Sequence, residues 1–336
     1  RGHVPWGTVL IGRAVMGKQS RQAVVIVAGP TASGKSGLAL ALAERFDGII
    51  INADSMQLYR ELRILTARPD TAAQARAPHR LYGIWPAADA GSAARWRTLA
   101  LAEIEAAWAA GRLPLVVGGT GLYLQVLRHG LAPIPDVPAA VRDAVRALHR
   151  RLGAARFHAA LAERDPVMAA RLEVGDTQRL VRAFEVLEAT GTSLADWQAR
   201  PAEGAAFTAP TATLLLEPPR PELYARCDSR FRAMLAAGAL DEARDLDRLG
   251  LDPGLPATKA LGVLELRRHL AGEWSLAEAT AAAQQATRRY AKRQSTWFRH
   301  RIGEQHVFHT QFSESLMPEI FAFIRQFLLT PPRLSV

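Results

Sequence analysis

Residues 29–36 read GPTASGKS, the spacing G-x-x-x-x-G-K-[ST] with Gly29, Gly34, Lys35 and Ser36 in the defining places. No other stretch of the chain constrains its fold so tightly. A loop of this kind turns backbone N–H groups inward, and the helix that follows adds the positive end of its dipole. Lys35 supplies a mobile point charge, and the Ser36 hydroxyl is placed to ligate magnesium. The pattern needs a buried strand before it and a helix after it. Ala23 to Ala28 is wholly apolar and largely β-branched, while Gly37 to Phe46 is rich in Ala and Leu with no Pro. The loop therefore reads as a phosphate cradle made of Gly29, Pro30, Thr31, Ala32, Ser33, Gly34, Lys35 and Ser36. Any diphosphate or triphosphate would suit it, ATP included, and the motif alone does not choose.

A second strand, GIIINADS from Gly48 to Ser55, ends in an acid at Asp54. An Ala-rich helix follows from Ser92 to Ala110, and a third strand, Leu113 to Val117, runs into Gly118, Gly119 and Thr120. Strands alternating with helices predict a parallel sheet with ligands at the carboxyl ends of its strands. Lys35, Asp54 and Thr120 should therefore converge on one crevice. The prolines at 133, 135 and 138 then mark a boundary, because proline continues neither helix nor strand. From Ala139 to about Ala199 the pattern is helical, and a fourth strand, Thr211 to Leu216, reopens the alternation. The expected fold is α/β: a P-loop NTPase-like parallel sheet core with an all-helical insertion domain. Residues 21–132 form the first part of the core, 133–205 the insertion, and 206–336 the second part with basic C-terminal helices. Residues 1–20 are set aside as an extension, because they begin without Met and Met16 is a candidate start.

The 336 residues suffice for a sizeable core. A formal net charge of +10 is compatible with a polyanionic partner, and equally with a basic surface that binds nothing. A single cysteine, Cys227, excludes an internal disulfide framework and fits a reducing compartment. No apolar run approaches ~18 residues, so no membrane span is expected.

An ordinary P-loop ATPase carries a second apolar strand ending in an acid that helps to hold magnesium. Here the strand ends in a neutral hydroxyl, Thr120. Asp54 could be that acid on another strand, which keeps a kinase open. The pairing also suits a different reaction: a carboxylate takes a proton from a nucleophile while a hydroxyl, Lys35 and magnesium stabilise a departing diphosphate. The stretch TRRYAKRQSTWFRHR, Thr287 to Arg301, holds Arg288, Arg289, Lys292, Arg293, Arg299 and Arg301 without an acid. Such a helix face is either a rail for phosphate backbones or a solvated face with some arginines bracing the core.

Taken in order, GPTASGKS, INADSMQLY, TARP, APHRLYG, SAARWR, PLVVGGTGLY, DTQRLVRAFEVL, GTSL, LYARCDSRF and TRRYAKRQSTWFR resemble the tRNA dimethylallyltransferase family, the isopentenyl-diphosphate:tRNA transferases. The resemblance covers the chain from about Val24 to Arg299. It implies transfer of a dimethylallyl group from dimethylallyl diphosphate to N6 of adenosine 37, beside the tRNA anticodon. It also implies that the glycine loop holds an isoprenoid diphosphate in place of a nucleotide. By the same resemblance Asp54 deprotonates the adenine N6, Thr120 lies beside the bridging oxygen, Lys35 and Arg230 contact the diphosphate, and Ser36 holds Mg2+. Contact with the tRNA anticodon stem-loop is implied for Asp54, Ser55, Met56, Gln57, Thr120 and Arg142. It is implied too for Gln178, Arg179, Leu180, Val181 and Arg182, and for Lys259, Ala260, Leu261, Gly262, Val263 and Leu264. A cytoplasmic monomer is expected. Three departures stand out: Val263 where the family has Tyr, Arg68 where Lys is commoner, and Cys227 where an aliphatic residue is usual. A P-loop small-molecule kinase and an RNA-stimulated ATPase remain as rival readings.

Overall fold

The structure, a computed structural model, describes residues 22–202, 207–302 and 306–330, so the N-terminal extension lies outside the described residues. The first strand, β1 (Val24–Ala28), is buried along its whole length, as a run with no polar face must be. The glycine loop follows it and opens α1 (Lys35–Phe46). Next come β2 (Gly48–Asn52), again buried throughout, α2 (Thr71–Arg76) and the short β3 (His79–Arg80). The helix α3 (Ala93–Ala109) starts one residue inside its expected bounds, because Ser92 is its N-cap and accepts from the Arg95 N–H at 3.1 Å. β4 (Leu113–Gly118) and α4 (Gly121–His129) complete the first run.

Helices then take over: α5 (Ala139–Arg164), bent at Gly153, α6 (Pro166–Arg171), α7 (Thr177–Thr190) and α8 (Leu194–Ala199). They form a compact unit, Arg128–Phe207, around Phe157, Leu161, Leu180, Phe184 and Leu187. This unit begins ahead of the proline stretch that was read as its edge. The reason is packing: Val137 is part of the unit's core and Ile134 lies against it, so the prolines belong to the unit.

The other unit joins the residues before Arg128 to those from Thr208 onward. Its second half supplies β5 (Thr211–Leu216), α9 (Arg220–Ala236), α10 (Ala239–Arg248), α11 (Val263–Leu270) and α12 (Leu276–Arg301). β6 (His306–Phe308) and α13 (Met317–Leu329) end it. The six strands pair in the order β3-β2-β4-β1-β5-β6, and every pairing is parallel. One face packs Leu38 and Leu42 of α1 with Ile324 and Phe327 of α13 over Val25, Val27, Leu115 and Leu214.

Register decides where the site lies. Ala28 of β1 pairs with Gly118 of β4, and Val117 of β4 pairs with Asn52 of β2. β2 therefore ends one residue short of its neighbours, which sets Gly29 beside Gly119 and Ala53 beside Gly118. On the flank of this row, Leu223 and Cys227 of α9 pack against Ala291 of α12, and Ala32 of the glycine loop rests on that cluster.

Candidate active site

The glycine loop is held in a conformation that few residues tolerate. Gly34 has φ +93, and a Cβ there would lie 2.8 Å from the Cβ of Phe312. Ala32 also sits in the left-handed region, at φ 66, a position that costs an L-residue about 1 to 2 kcal/mol. Strain of this kind persists where the surrounding structure enforces it and is commonest at functional sites. Ser33 is buried, and among the described residues its hydroxyl has no hydrogen-bond partner. An orphaned hydroxyl inside a phosphate cradle fits a ligand oxygen, since a buried polar group left unpaired is costly. The Lys35 ammonium meanwhile folds back and donates to the Pro30 carbonyl at 2.8 Å.

The acid and the hydroxyl stand at neighbouring strand ends, tied together through Ser55. The Asn52 side chain locks the turn after β2: its Oδ1 accepts from the Asp54 N–H at 2.8 Å and its Nδ2 donates to the Asp54 carbonyl at 2.9 Å. Asp54 Oδ1 accepts from the Met56 N–H at 3.0 Å, and among the described residues nothing donates to Oδ2. The cap role that an Asp can play in a turn is thus filled by one oxygen, leaving the other for chemistry. The Ser55 N–H donates to Thr120 Oγ1 at 3.0 Å, and the Thr120 hydroxyl donates to Ser55 Oγ at 3.3 Å. The second bond is long for O–H···O and is easily exchanged for a stronger acceptor.

Charge converges on the same place. Burial pulls Lys35 from 10.5 to about 8; the Asp54 carboxylate opposes that shift and the Arg230 guanidinium adds to it. Arg230 donates to the Thr31 hydroxyl of the loop. Its own pKa is held below the usual value by burial, with Cys227 and Asp54 working against the shift. Tyr82, Tyr123 and Tyr290 all feel the Asp54 charge, and burial first, then that charge, pushes each phenol above its ordinary value (for Tyr123 the neighbouring Tyr59 acts before Asp54). Lys35, Asp54, Thr120 and Arg230 therefore share one crevice, with phenol rings around the acid. Asn52 and these tyrosines were missed from sequence, although Asn52 stands two residues before Asp54 and two of the rings sit in the stretches RLYG and TGLY.

A magnesium ion would find little protein ligation here. The Ser36 hydroxyl is exposed at the start of α1, and among the described residues no group of three or more His, Cys, Asp or Glu could cage a metal. That fits an ion which keeps several waters and takes phosphate oxygens as its other ligands.

The residues expected to touch tRNA divide by exposure. Arg142, Gln178 and Arg179 are exposed on the helical unit, Arg179 pairing with Asp176 at 3.3 Å, and the Arg182 guanidinium is partnered by Glu185 at 3.6 Å. Leu180 is fully buried in that unit's core and cannot offer a side chain to RNA, because its place on α7 faces inward with Phe184. The same correction applies to Ala260 and Val263, which are buried at the start of α11, while Lys259 and Leu264 are exposed. Gln57 donates its amide to the carbonyls of Thr66 at 2.8 Å and Ala67 at 3.1 Å, so it braces the loop before Arg68. On α12, Arg288 pairs with Asp228 at 2.6 Å and Arg299 with Glu217 at 2.7 Å. Arg289, Lys292, Arg293 and Arg301 are exposed and have no acidic partner among the described residues.

A family model described as IPP transferase matches residues 57–301. The tRNA dimethylallyltransferase of Paramagnetospirillum magneticum is 56% identical over 308 residues, covering 92% of this chain and 98% of that one. Its counterpart from Rhodospirillum centenum is 62% identical over 283 residues, covering 83% and 89%. Among solved structures, the full-length tRNA isopentenylpyrophosphate transferase of Bacillus halodurans matches with a TM-score of 0.66 at 31% identity, over 92% of this chain and 97% of the other. A eukaryotic dimethylallyltransferase captured acting on tRNA matches with a TM-score of 0.77 at 25% identity, over 93% and 81%.

Proposed function

The chain belongs to the IPP transferase family, and on that premise we propose that it transfers a dimethylallyl group from dimethylallyl diphosphate to N6 of adenosine 37 in tRNA. One observation carries the reading: Asp54 and Thr120, joined through Ser55, stand beside a phosphate loop whose Lys35 feels both Asp54 and Arg230. The base and the leaving-group machinery thereby face one space. In the transfer the N6 lone pair forms a bond to the allylic carbon as the bond from that carbon to the diphosphate oxygen breaks. The electron pair leaves with the diphosphate, and Asp54 takes the proton that N6 sheds. Adenine N6 is a poor nucleophile, so both a positioned base and a stabilised leaving group are needed. Lys35, Arg230 and the Thr120 hydroxyl would meet the charge that grows on the diphosphate. Magnesium, bound at Ser36 and the diphosphate oxygens, would neutralise part of that charge.

The kinase and ATPase readings would need Asp54 as the magnesium-holding acid, since β4 ends in the neutral Thr120, and the relatives that this chain matches are dimethylallyltransferases. The target base must leave its stack to enter a crevice, which an anticodon loop makes cheaper than a duplex would. Exposed Arg142, Gln178 and Arg179, together with the unpaired cations of α12, are the contacts we assign to the RNA backbone. No helix among the described residues is long and apolar enough to cross a membrane. Modification of tRNA is the ground on which we propose a cytoplasmic enzyme, and we propose that it acts as a monomer. Incubation with labelled dimethylallyl diphosphate and unmodified tRNA, followed by nucleoside analysis, tests the assignment. Label in prenylated adenosine is expected; tRNA-stimulated ATP hydrolysis without label transfer would reverse it.

A further inference from the structure

Gln294 lies on α12, far in sequence from the glycine loop and from Thr120, and only 6% of its surface is exposed. Its side-chain amide uses both ends. Oε1 accepts from the Thr31 N–H of the phosphate loop at 2.8 Å, and Nε2 donates to the Gly119 carbonyl at the end of β4 at 2.8 Å. The amide thus stands between β1's loop and β4's end as a backbone peptide would stand between two strands. Gly119 is required for this fit: a Cβ there would run into Gln294 Nε2 and lie 3.2 Å from the Gly29 carbonyl.

The contact continues towards the acid. The Thr120 N–H donates to the Ala53 carbonyl at 3.3 Å, and Thr120 Oγ1 receives the Ser55 N–H. Hydrogen bonds and the Gly119–Thr120 peptide together lead from Thr31, through Gln294, to Gly119, Thr120, Ser55 and the turn that carries Asp54. Resting on the prenyl-transfer reading above, we infer that Gln294 is a positioning residue that fixes the gap between the diphosphate cradle and the base. The reaction makes that gap matter, because the transferred carbon must sit between N6 on one side and the departing oxygen on the other. Misplacement by about 1 Å is enough to lose on the order of 100-fold in rate. The side chain has little freedom to relax, since swinging it away strands a buried amide, the Thr31 N–H and the Gly119 carbonyl together.

The role separates from that of an ordinary satisfied core amide by what its loss changes. Gln294→Met keeps the length and apolar volume of the side chain and deletes both bonds. Gln294→Asn keeps the amide but, one methylene shorter, reaches one partner at a time. Single-turnover transfer from labelled dimethylallyl diphosphate to unmodified tRNA, with both substrates saturating, is measured on the full chain. Binding of each substrate alone and thermal melts accompany it. We expect the Met variant to lose about 10- to 100-fold in rate and the Asn variant less, with both binding affinities near those of the parent. A variant that transfers at the parent rate per folded molecule overturns the inference, as does a rate that falls only in step with the folded fraction. Should the Met variant fail to fold, the Asn variant decides by the same criteria. Absence of transfer by the parent protein would overturn the functional reading and this inference together; transfer by parent and variants alike overturns this inference alone.

Discussion

Raising the pH through the titration of Lys35 should weaken binding of dimethylallyl diphosphate while it stabilises the unliganded fold. Burial lowers the Lys35 pKa from 10.5 to about 8, against the pull of Asp54 and with the help of Arg230. A bound diphosphate favours the ammonium, so binding above that pH must take up a proton. Affinity should then fall by about tenfold per pH unit, until the pKa of the complex is reached. The signs follow from linkage. Between about 8 and 10.5 the unfolded chain still holds the proton that folded Lys35 has lost, so stability gains from rising pH in that window.

The neighbours leave the window fairly clear. Tyr82, Tyr123 and Tyr290 are all pushed above their ordinary range. The Cys227 thiol, pushed up mainly by burial, contributes the opposite stability slope. Lys35→Met retains the thiol, and loss of the Lys35 charge, which pulls the thiol down, moves it further up. The ligand adds no titration of its own, since the last ionisation of a phosphate ester lies near pH 6. Calorimetry without tRNA, in buffers of different ionisation enthalpy, counts the protons directly. Uptake approaching one proton above about pH 8 is expected for the parent and none for Lys35→Met. A flat affinity from about pH 7 to about pH 10, or equal uptake in both proteins, would refute the placement of Lys35 against the diphosphate.

Asp54→Ala should cut single-turnover transfer by about 10²- to 10⁴-fold with tRNA affinity little changed, and near-parent rates would remove Asp54 as the base. Thr120→Ala should slow the same step, through loss of a bond that strengthens as the diphosphate departs, without raising the KM for tRNA. Titrations at several salt concentrations should show Arg289→Ala and Lys292→Ala each lowering the log–log slope of tRNA affinity by about 0.7 to 0.9. Arg288→Ala, which frees Asp228, should show itself in the melting temperature instead. Phe157→Ala, at the centre of the helical unit, should destabilise that unit by about 3 to 5 kcal/mol, read by denaturant melts.

Four strands were legible in the sequence because a parallel sheet covered on both faces leaves continuous apolar runs, and β1, β2, β4 and β5 are such runs. The edge strands β3 and β6 escaped, since two or three residues carry no period. α12 carries the basic stretch from Thr287 to Arg301 and is held at its start by Ser275 and Glu278 in a reciprocal cap. Its charges were harder to read. A cation on a helix face has the same letter whether or not an acid from another element meets it, and Asp228 and Glu217 come from α9 and the end of β5. The division into bracing Arg288 and Arg299 and unpaired Arg289 and Lys292 is a tertiary fact.

The phosphate loop, Asp54 and Thr120 were visible because each follows a strand end, and parallel register turns that rule into proximity. What sequence could not supply is why Thr120 suits its place. Its hydroxyl and N–H bind Ser55 and the Ala53 carbonyl, one residue on either side of Asp54. A carboxylate at this strand end, the arrangement of an ordinary P-loop ATPase, would stand beside a second carboxylate. Two such charges at close range do not both stay ionised unless a metal lies between them. An acid that must accept a proton from N6 has to be ionised when the substrate arrives. A neutral hydroxyl at 120 avoids setting a second acid beside Asp54, which faces Lys35 and Arg230, and it retains a donor for the leaving oxygen. The change from acid to threonine therefore alters the task of the whole crevice. Under the proposed prenyl transfer, one carboxylate, two cations and the Ser33 hydroxyl would remove a proton on one side and receive a diphosphate on the other.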